Sequence, residues 1–323
     1  MRYGYLLPTR GAVLSSDDDQ TLAAKAEADV IGLAERAEAA GFGSAWVGDS
    51  VLAKPRFEPL STLAAVGAAT ESVQLGTAVY LPPLRHPVHV AHLAATVDQL
   101  SGGRLALGLG VGSGSDVEAE YANLDLEYET RGARMDELLD VVTSLWAGET
   151  VDYDGDHVTL EGASIGFGGV RDVPIYIPGA AINDAGRHPV PIRRRLAEYA
   201  DGWLPIGLTP EEYATARENV ETVLEDAGRD PDTVDKALYL DAVIDEDERR
   251  ALDTAKEFYA QYYPARPERP DDYMRATGAF GPAADVAARL EEFAEAGADH
   301  IVVRFTAPDQ RRQLGRFTDI ALS

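Results

Sequence analysis

Four glycines at two-residue spacing, Gly108, Gly110, Gly112 and Gly114, close the apolar run that follows Arg104. Glycines placed this way let backbone amides approach a ligand closely, which suits a phosphate group or a flat ring. A GxGxG string has a plainer meaning as well, because glycine also merely ends strands. Only four lysines occur (Lys25, Lys54, Lys236 and Lys256), so a bound phosphate must be held by amides or guanidinium groups. Cysteine is absent, which excludes disulfides, thiolate nucleophiles and cysteine metal sites. Six histidines stand at 86, 89, 92, 157, 188 and 300, without an HExxH pair. His89 and His92 lie three apart on one predicted helix and read as surface or interface residues.

The elements that must position these glycines follow from periodicity. Val73 to Val79 is a short apolar run ending before Pro82-Pro83, then comes an amphipathic helical stretch, a Gly102-Gly103 break and the second apolar run. That order is one right-handed crossover unit of a parallel sheet, with the glycines at the end where parallel barrels place their chemistry. Further strands are predicted at Arg2 to Leu7, Gly43 to Gly48, Val173 to Pro178, Gly202 to Ile206, Lys236 to Val243 and His300 to Arg304. Helical spacing covers Thr21 to Ala40, Glu58 to Thr70, Arg131 to Trp146, Pro191 to Ala200, Pro210 to Ala227, Glu246 to Tyr262, Pro282 to Ala296 and Asp309 to Ala321. Val151 to Leu160, with its Asp154-Gly155 turn, reads as a hairpin. Eight strands each followed by a helix, with no internal repeat, favour a closed (β/α)8 TIM barrel forming one α/β domain over 1–323. Insertions are expected near 112–128, 149–172 and 264–280, the last as a long irregular segment; loops of that size are usually functional.

Composition bounds the partners. The 323 residues carry a formal charge of −26, with the acidic groups scattered rather than gathered in one tail. An acidic surface stripped of lysine suits molar salt, where self-repulsion is screened, and reads as that of an extreme halophile, the alternative being an ordinary acidic soluble protein. Nucleic acid and anionic membrane surfaces are poor partners for it. No apolar run approaches the roughly 20 residues of a bilayer span, and the N-terminus lacks a signal-peptide pattern, so a cytoplasmic location is expected.

The run LGTAVYLPPLRHPVHVAHLAATVDQLSGGRLALGLGVG resembles the signature of the bacterial luciferase-like superfamily, which contains flavin-dependent monooxygenases and deazaflavin (coenzyme F420)-dependent oxidoreductases. AERAEAAGFGSAWVGDS, RGARMDELLDVVTSLWAGE, VPIYIPGA, EYADGWLP and FAEAGADHIVVR match in the family's order, nearly across the chain. The resemblance implies the barrel fold with insertions and a redox ring held at its mouth. It implies a third-strand bulge with a non-proline cis peptide against the ring, here within Thr77, Ala78, Val79 and Tyr80. The fourth strand's Gly110 and Gly112 would approach the cofactor. Its phosphate would meet the loop Gly179, Ala180 and Ala181, helped by Arg131 or Arg134.

Two departures qualify the match. After Ala181 the insertion INDAGRHPVP replaces a direct entry into a helix; its Arg187 and His188 either reach a phosphate or polyglutamyl tail or belong to a solvent loop. At the end of strand two, where many relatives carry a histidine, this chain has Ser50. Asp49 beside it is a candidate proton carrier or ring-nitrogen partner, or else a barrel-end carboxylate. Trp46, on the same face as Gly48 by alternation, is either a core residue between sheet and helices or a pocket wall, and packing is the favoured role.

Three readings follow: an F420-dependent hydride transfer to or from a small organic substrate, an FMN-dependent monooxygenase, or a non-catalytic flavin-binding barrel. The inferred habitat and the missing strand-two histidine favour the first. Tyr121, Tyr128, Tyr263 and Phe280, in the insertions, either line the substrate pocket or act as anchors. Ala64, Ala65, Ala68 and Ala69, with Ala91, Ala94 and Ala95, spread small residues around two helices and suggest a homodimer.

Overall fold

Residues 1–10, 29–53, 55–166, 173–179, 188–263 and 267–322 are described by the computed structural model. Eight parallel strands close a ring in the order β1 (Arg2–Leu6), β2 (Ser44–Val47), β3 (Gln74–Tyr80), β4 (Leu105–Leu109), β7 (Ile175–Ile177), β8 (Gly202–Trp203), β9 (Asp235–Ile244) and β11 (His300–Phe305). Pairing of β8 with β9, and of β11 with β1, completes the barrel. The (β/α)8 expectation is therefore met. The short strands β5 (Val151–Asp154) and β6 (Thr159–Ala163) form the expected antiparallel hairpin.

The helices lie outside the ring: α1 (Val30–Ala39), α2 (Pro59–Ala69), α3 (Pro87–Leu100), α4 (Ser115–Asn123), α5 (Arg131–Trp146), α6 (Val190–Tyr199), α7 (Pro210–Asp226), α8 (Glu248–Tyr262), α9 (Asp271–Thr277), α10 (Ala283–Glu295) and α11 (Gln310–Ala321). Local chemistry sets several of their starts. Glu58 caps α2 by accepting from the Ser61 amide at 2.7 Å, and Thr209 and Glu212 make a reciprocal capping box on α7. On α5 the buried set Met135, Leu138, Leu139, Val142 and Leu145 recurs at three- and four-residue steps, the stripe a barrel helix must bury. Two insertions are more ordered than expected: 112–128 holds α4, and 264–280 holds α9, begun by Asp271 and Asp272 after Pro270. Strand β10 (Ala279–Gly281) follows and pairs with the end of β9 from Ala242 onward.

Strand alternation divides two cores. Outward residues such as Tyr5, Val47, Leu75, Leu107, Ile175, Leu240 and Val303 pack beneath the helices. Inward residues Leu6, Trp46, Ala106, Tyr176, Leu204, Ala237 and Val302 fill the barrel. Trp46 is the largest of these, and it fits because Gly76 faces it: a Cβ on Gly76 would lie 2.2 Å from the indole. Its expected packing role holds, inside the barrel rather than between sheet and helices.

Below Trp46 the amino-terminal end of the barrel is closed by a polar chain. The Trp46 indole, which can only donate, reaches Ser44 Oγ at 2.8 Å, and Ser44 lies 2.8 Å from His300 Nε2. His300 Nδ1 is 3.1 Å from Asp235 Oδ2, which also accepts from Tyr176 at 2.7 Å and pairs with Arg2. A neutral His300 protonated on Nδ1 satisfies the links to Ser44 and Asp235, with donor direction running from indole to hydroxyl to imidazole to carboxylate; Arg2 Nη2, a donor 2.8 Å from the same Nδ1, then gives its proton to Asp235 instead. Burial lowers the His300 pKa against the opposing pull of Asp235.

A histidine whose folded pKa is depressed supports the fold fully above its unfolded value, and that support is lost as pH falls below it. The reference value is 6.5, so the loss begins near there. His300→Gln should be less stable than the parent at pH 8. Between pH 6.5 and 5 its denaturation free energy should fall less steeply, by up to about 1.4 kcal/mol per pH unit. Parallel slopes in urea titrations at several pH values would refute the neutral-imidazole reading.

Candidate active site

The carboxyl-terminal mouth is built on one irregularity in β3. Thr77 pairs with Leu107 and Tyr80 with Leu109, so three steps on β3 face two on β4 and one residue bulges. The Ala78–Val79 peptide within it is cis, as the resemblance implied for this segment. Thr77 Oγ1 donates to the Gly108 carbonyl at 2.9 Å, and the Gly110 amide donates to the Tyr80 carbonyl at 2.8 Å. A Cβ on Gly108 would come within 2.1 Å of the Thr77 carbonyl oxygen. Val79 fills the corresponding space over Gly110, and Gly112 turns at φ +72° against Val117. The glycines after strand four and the bulge in strand three, separate features in the sequence, are one packed unit.

Ala78 and Val79 form one wall of a mouth cavity of about 180 Å³, with Leu6, Gly48, Leu81 and Val117. Tyr239, Tyr262, Tyr263, Arg56 and Arg304 line it as well. Arg304, next to the last residue of β11, grips Asp241 in the second half of β9 through Nε at 2.5 Å and Nη2 at 2.9 Å. Tyr259 donates to the same carboxylate at 2.5 Å, and Arg269 lies 3.2 Å from it. Burial alone would raise the Asp241 pKa, but Arg304 and Arg269 hold it below the usual carboxylate range. Burial would likewise raise Tyr263; the Arg304 guanidinium, 3.0 Å from its hydroxyl, outweighs that and lowers the phenol.

The sequence-derived candidates divide. Asp49 lines the cavity, yet its side chain is fully buried and its oxygens hold Arg85 in a fork at 2.6 and 3.0 Å. The Leu81 amide donates to it as well, at 2.9 Å, so Asp49 ties the loop after β2 to the segment that leaves the bulge. Ser50 points elsewhere: its hydroxyl donates to Glu120 Oε1 at 3.1 Å, the oxygen that also takes the Val51 and Leu52 amides. Tyr80 is turned away from the mouth into the helix-side core, beneath Arg85 at 4.3 Å from its ring centre.

Arg131 stacks on Tyr128 at 3.7 Å, and Arg134 lines a separate groove with His86, Leu126 and His157, so neither lines the mouth cavity. The Gly179 carbonyl accepts from the Trp203 indole at 3.0 Å and lies 3.1 Å from His188 Nε2. Ala180, Ala181 and Arg187 lie outside the described residues. His188 is buried against Asn219 and Trp203, which corrects its reading as a solvent or tail-binding residue: it latches the strand-five loop to α7. Among the aromatic candidates, Tyr263 reaches the mouth, whereas Tyr121 and Phe280 are buried anchors and Tyr128 packs on Tyr121.

Sequence spacing did not single out Arg10, Arg56, Asp241 or Arg304. A signal existed for the last two, since a charge at an inward position of an apolar strand needs a partner. Glu120 had one too, lying one position before Tyr121 and three after Val117 on the buried face of α4.

An eight-stranded parallel barrel with tyrosines and arginines around its carboxyl-terminal mouth is the layout of a small-molecule enzyme. The family model for luciferase-like monooxygenase matches residues 1–300, and the chain belongs to that family. A 5,10-methylenetetrahydromethanopterin reductase of Archaeoglobus fulgidus is 29% identical over 220 residues, 68% of this chain and 61% of the relative. The match thus spans about three fifths of that reductase's length. An F420-dependent glucose-6-phosphate dehydrogenase of Nocardia farcinica is 28% identical over 332 residues, 93% of this chain and 96% of the relative. An F420-dependent secondary alcohol dehydrogenase in complex with an F420-acetone adduct shares the fold, with a TM-score of 0.78 at 21% identity over 99% of this chain and 97% of that one.

Breaking the Asp49–Arg85 fork leaves a largely buried guanidinium without its main partner. Asp49→Asn should therefore lower stability by about 3 kcal/mol in chemical denaturation. A change below about 0.5 kcal/mol would mean that Asp49 is not a structural carboxylate.

Proposed function

We propose that this protein is an oxidoreductase that holds coenzyme F420 at the barrel mouth and serves hydride transfer to or from a small organic substrate. The observation that carries the reading is the bulge at Ala78 and Val79 lining the mouth cavity, in a chain whose relatives include F420-dependent enzymes. The residues present fit a flat ring: the lining combines small and apolar side chains with phenols and guanidiniums. When bound, the coenzyme supplies two-electron hydride exchange. Ala78, Val79, Leu81 and Val117 would hold its ring, and Gly112, Gly179, Ala180 and Ala181 are the proposed contacts to its tail.

The chain's own part is positioning and proton handling. Asp49 fixes the segment beyond the bulge through Leu81 and Arg85. Tyr239, Tyr262 and Tyr263 exclude water from one side, and Tyr263, with its lowered pKa, can give or take a proton at its hydroxyl oxygen. No histidine lines the mouth cavity, and Ser50 is engaged by Glu120, which favours hydride transfer over FMN-dependent oxygen insertion.

Absorbance and mass spectrometry of the chromophore retained after reconstitution test the reading; F420 should be kept and FMN washed out. Retention of FMN alone would replace the proposal with the monooxygenase. Tyr263→Phe should lower turnover roughly 10²-fold and remove the ionisation that it contributes to the pH–rate profile.

We also propose a homodimer working in molar salt in the cytoplasm. Ala91, Ala94 and Ala95 are buried within the chain, so the support comes instead from exposed Leu93 and Leu100 on α3. Light scattering at high salt should give twice the chain mass; a monomer would remove this part.

A further inference from the structure

Among the described residues, two of the arginines at the mouth have no ion-pair partner. Arg304 has Asp241, but among the described residues no carboxylate forms an ion pair with Arg10 or Arg56. Arg10 is only 8% exposed, and among the described residues the buried Nε atoms of both arginines have no hydrogen-bond partner. What they do touch is weak in charge. Arg10 donates to the Tyr262 carbonyl at the end of α8, and Arg56 donates to the Tyr262 hydroxyl at 2.6 Å. All three guanidiniums surround that ring, with centres 4.5 Å (Arg10), 5.7 Å (Arg56) and 5.6 Å (Arg304) from its centroid.

Burial is the largest influence on Arg10 and lowers its pKa; Arg56 adds to this, and the opposing pull of Tyr262, Tyr263 and Asp116 does not reverse it. Such a cluster, in a chain of net charge −26, is costly unless an anion enters it. A place for one exists. A small cavity of about 40 Å³ is lined by Arg10, Arg56 and Arg304 with Thr9, Phe258 and Tyr262. It shares Leu6, Gly48, Arg56, Tyr262 and Arg304 with the mouth cavity. Gly48 keeps the way open, because a Cβ there would stand 2.1 Å from Arg56 Nη1.

We infer that Arg10 and Arg56 form an oxyanion pocket that receives the carboxylate or phosphate group of the substrate, so that the substrate is a small organic anion. This rests on the reading of the mouth as the active site. Guanidinium forks match both oxyanions, and the pocket's size admits one such group rather than a polymer. With its anion anchored by the segments that follow strands one and two, a substrate would extend towards the bulge on strand three.

The test uses the full chain without coenzyme and inorganic phosphate as the probe, at matched ionic strength. Phosphate should bind saturably with one site per chain in calorimetry. Arg10→Met and Arg56→Gln should each weaken it at least tenfold, while Arg312→Gln on α11 should leave it unchanged. In the ligand-free state Arg10→Met should hold or raise the melting temperature, since it removes an uncompensated charge, whereas a structural arginine would lower it. Absence of saturable binding, equal binding by the variants, or failure of both variants to fold would overturn the inference. A second titration separates the two sources of such an anion. Saturating phosphate should leave the F420 midpoint unchanged; competition would assign the pocket to the coenzyme's own tail and sink the substrate assignment. Loss of F420 binding with phosphate binding intact would instead tell against the proposed function alone.

Discussion

The close approach of the Thr77 carbonyl to Gly108 is the constraint on which the mouth depends. A bulge pushes one extra residue of β3 out of register, and only a neighbouring strand without a side chain can admit the displaced backbone. Gly108 supplies that absence, Val79 then settles over Gly110, and Leu81 packs towards Gly112. From the same segment the Leu81 amide reaches Asp49, which holds Arg85, so strands two, three and four are locked at one height. The cavity wall formed by Ala78 and Val79 is a consequence of this locking, and so is the direction in which the wall faces.

The two ends of the barrel solve the problem of buried polarity in opposite ways. At the amino-terminal end, Trp46, Ser44, His300 and Asp235 pass hydrogen bonds along a chain in which each donor finds an acceptor. Such a network is stable because nothing is left over. At the mouth, Arg304 and Asp241 are satisfied, while the Nε groups of Arg10 and Arg56 find no partner among the described residues. An imbalance of this kind is expected where a ligand completes the set, and it falls at the end where the strand order and glycines direct binding.

How much of this was legible in the sequence depends on the range of the interactions concerned. Strands such as Val73 to Val79 and His300 to Arg304 showed through their apolar runs, and α5 through its three- and four-residue stripe, because periodicity is local. The hairpin showed through Asp154-Gly155 for the same reason. The bulge segment and the glycines were both visible, yet their contact was not, since Thr77 and Gly108 lie 31 positions apart. Asp49 could be read as a proton carrier because Arg85, which occupies it, lies 36 positions away. Arg10, Arg56, Tyr262 and Arg304 come from four distant segments and meet only when the ring closes. The helix within 264–280 was hidden by its length, seven residues, too short for a periodic signal.

The acidic exterior and the cationic mouth are compatible only under particular conditions. A surface of net charge −26 repels a small anion at low ionic strength, over distances set by the Debye length. In molar salt that length falls to about 3 Å, and the exterior ceases to act on an approaching molecule. Charges inside the small cavity are screened far less, because Phe258, Tyr262 and Phe305 keep solvent from them. Salt therefore removes the long-range repulsion and spares more of the short-range attraction. For an anionic substrate, the acidic surface and the arginine pocket then work together at high ionic strength and against each other at low.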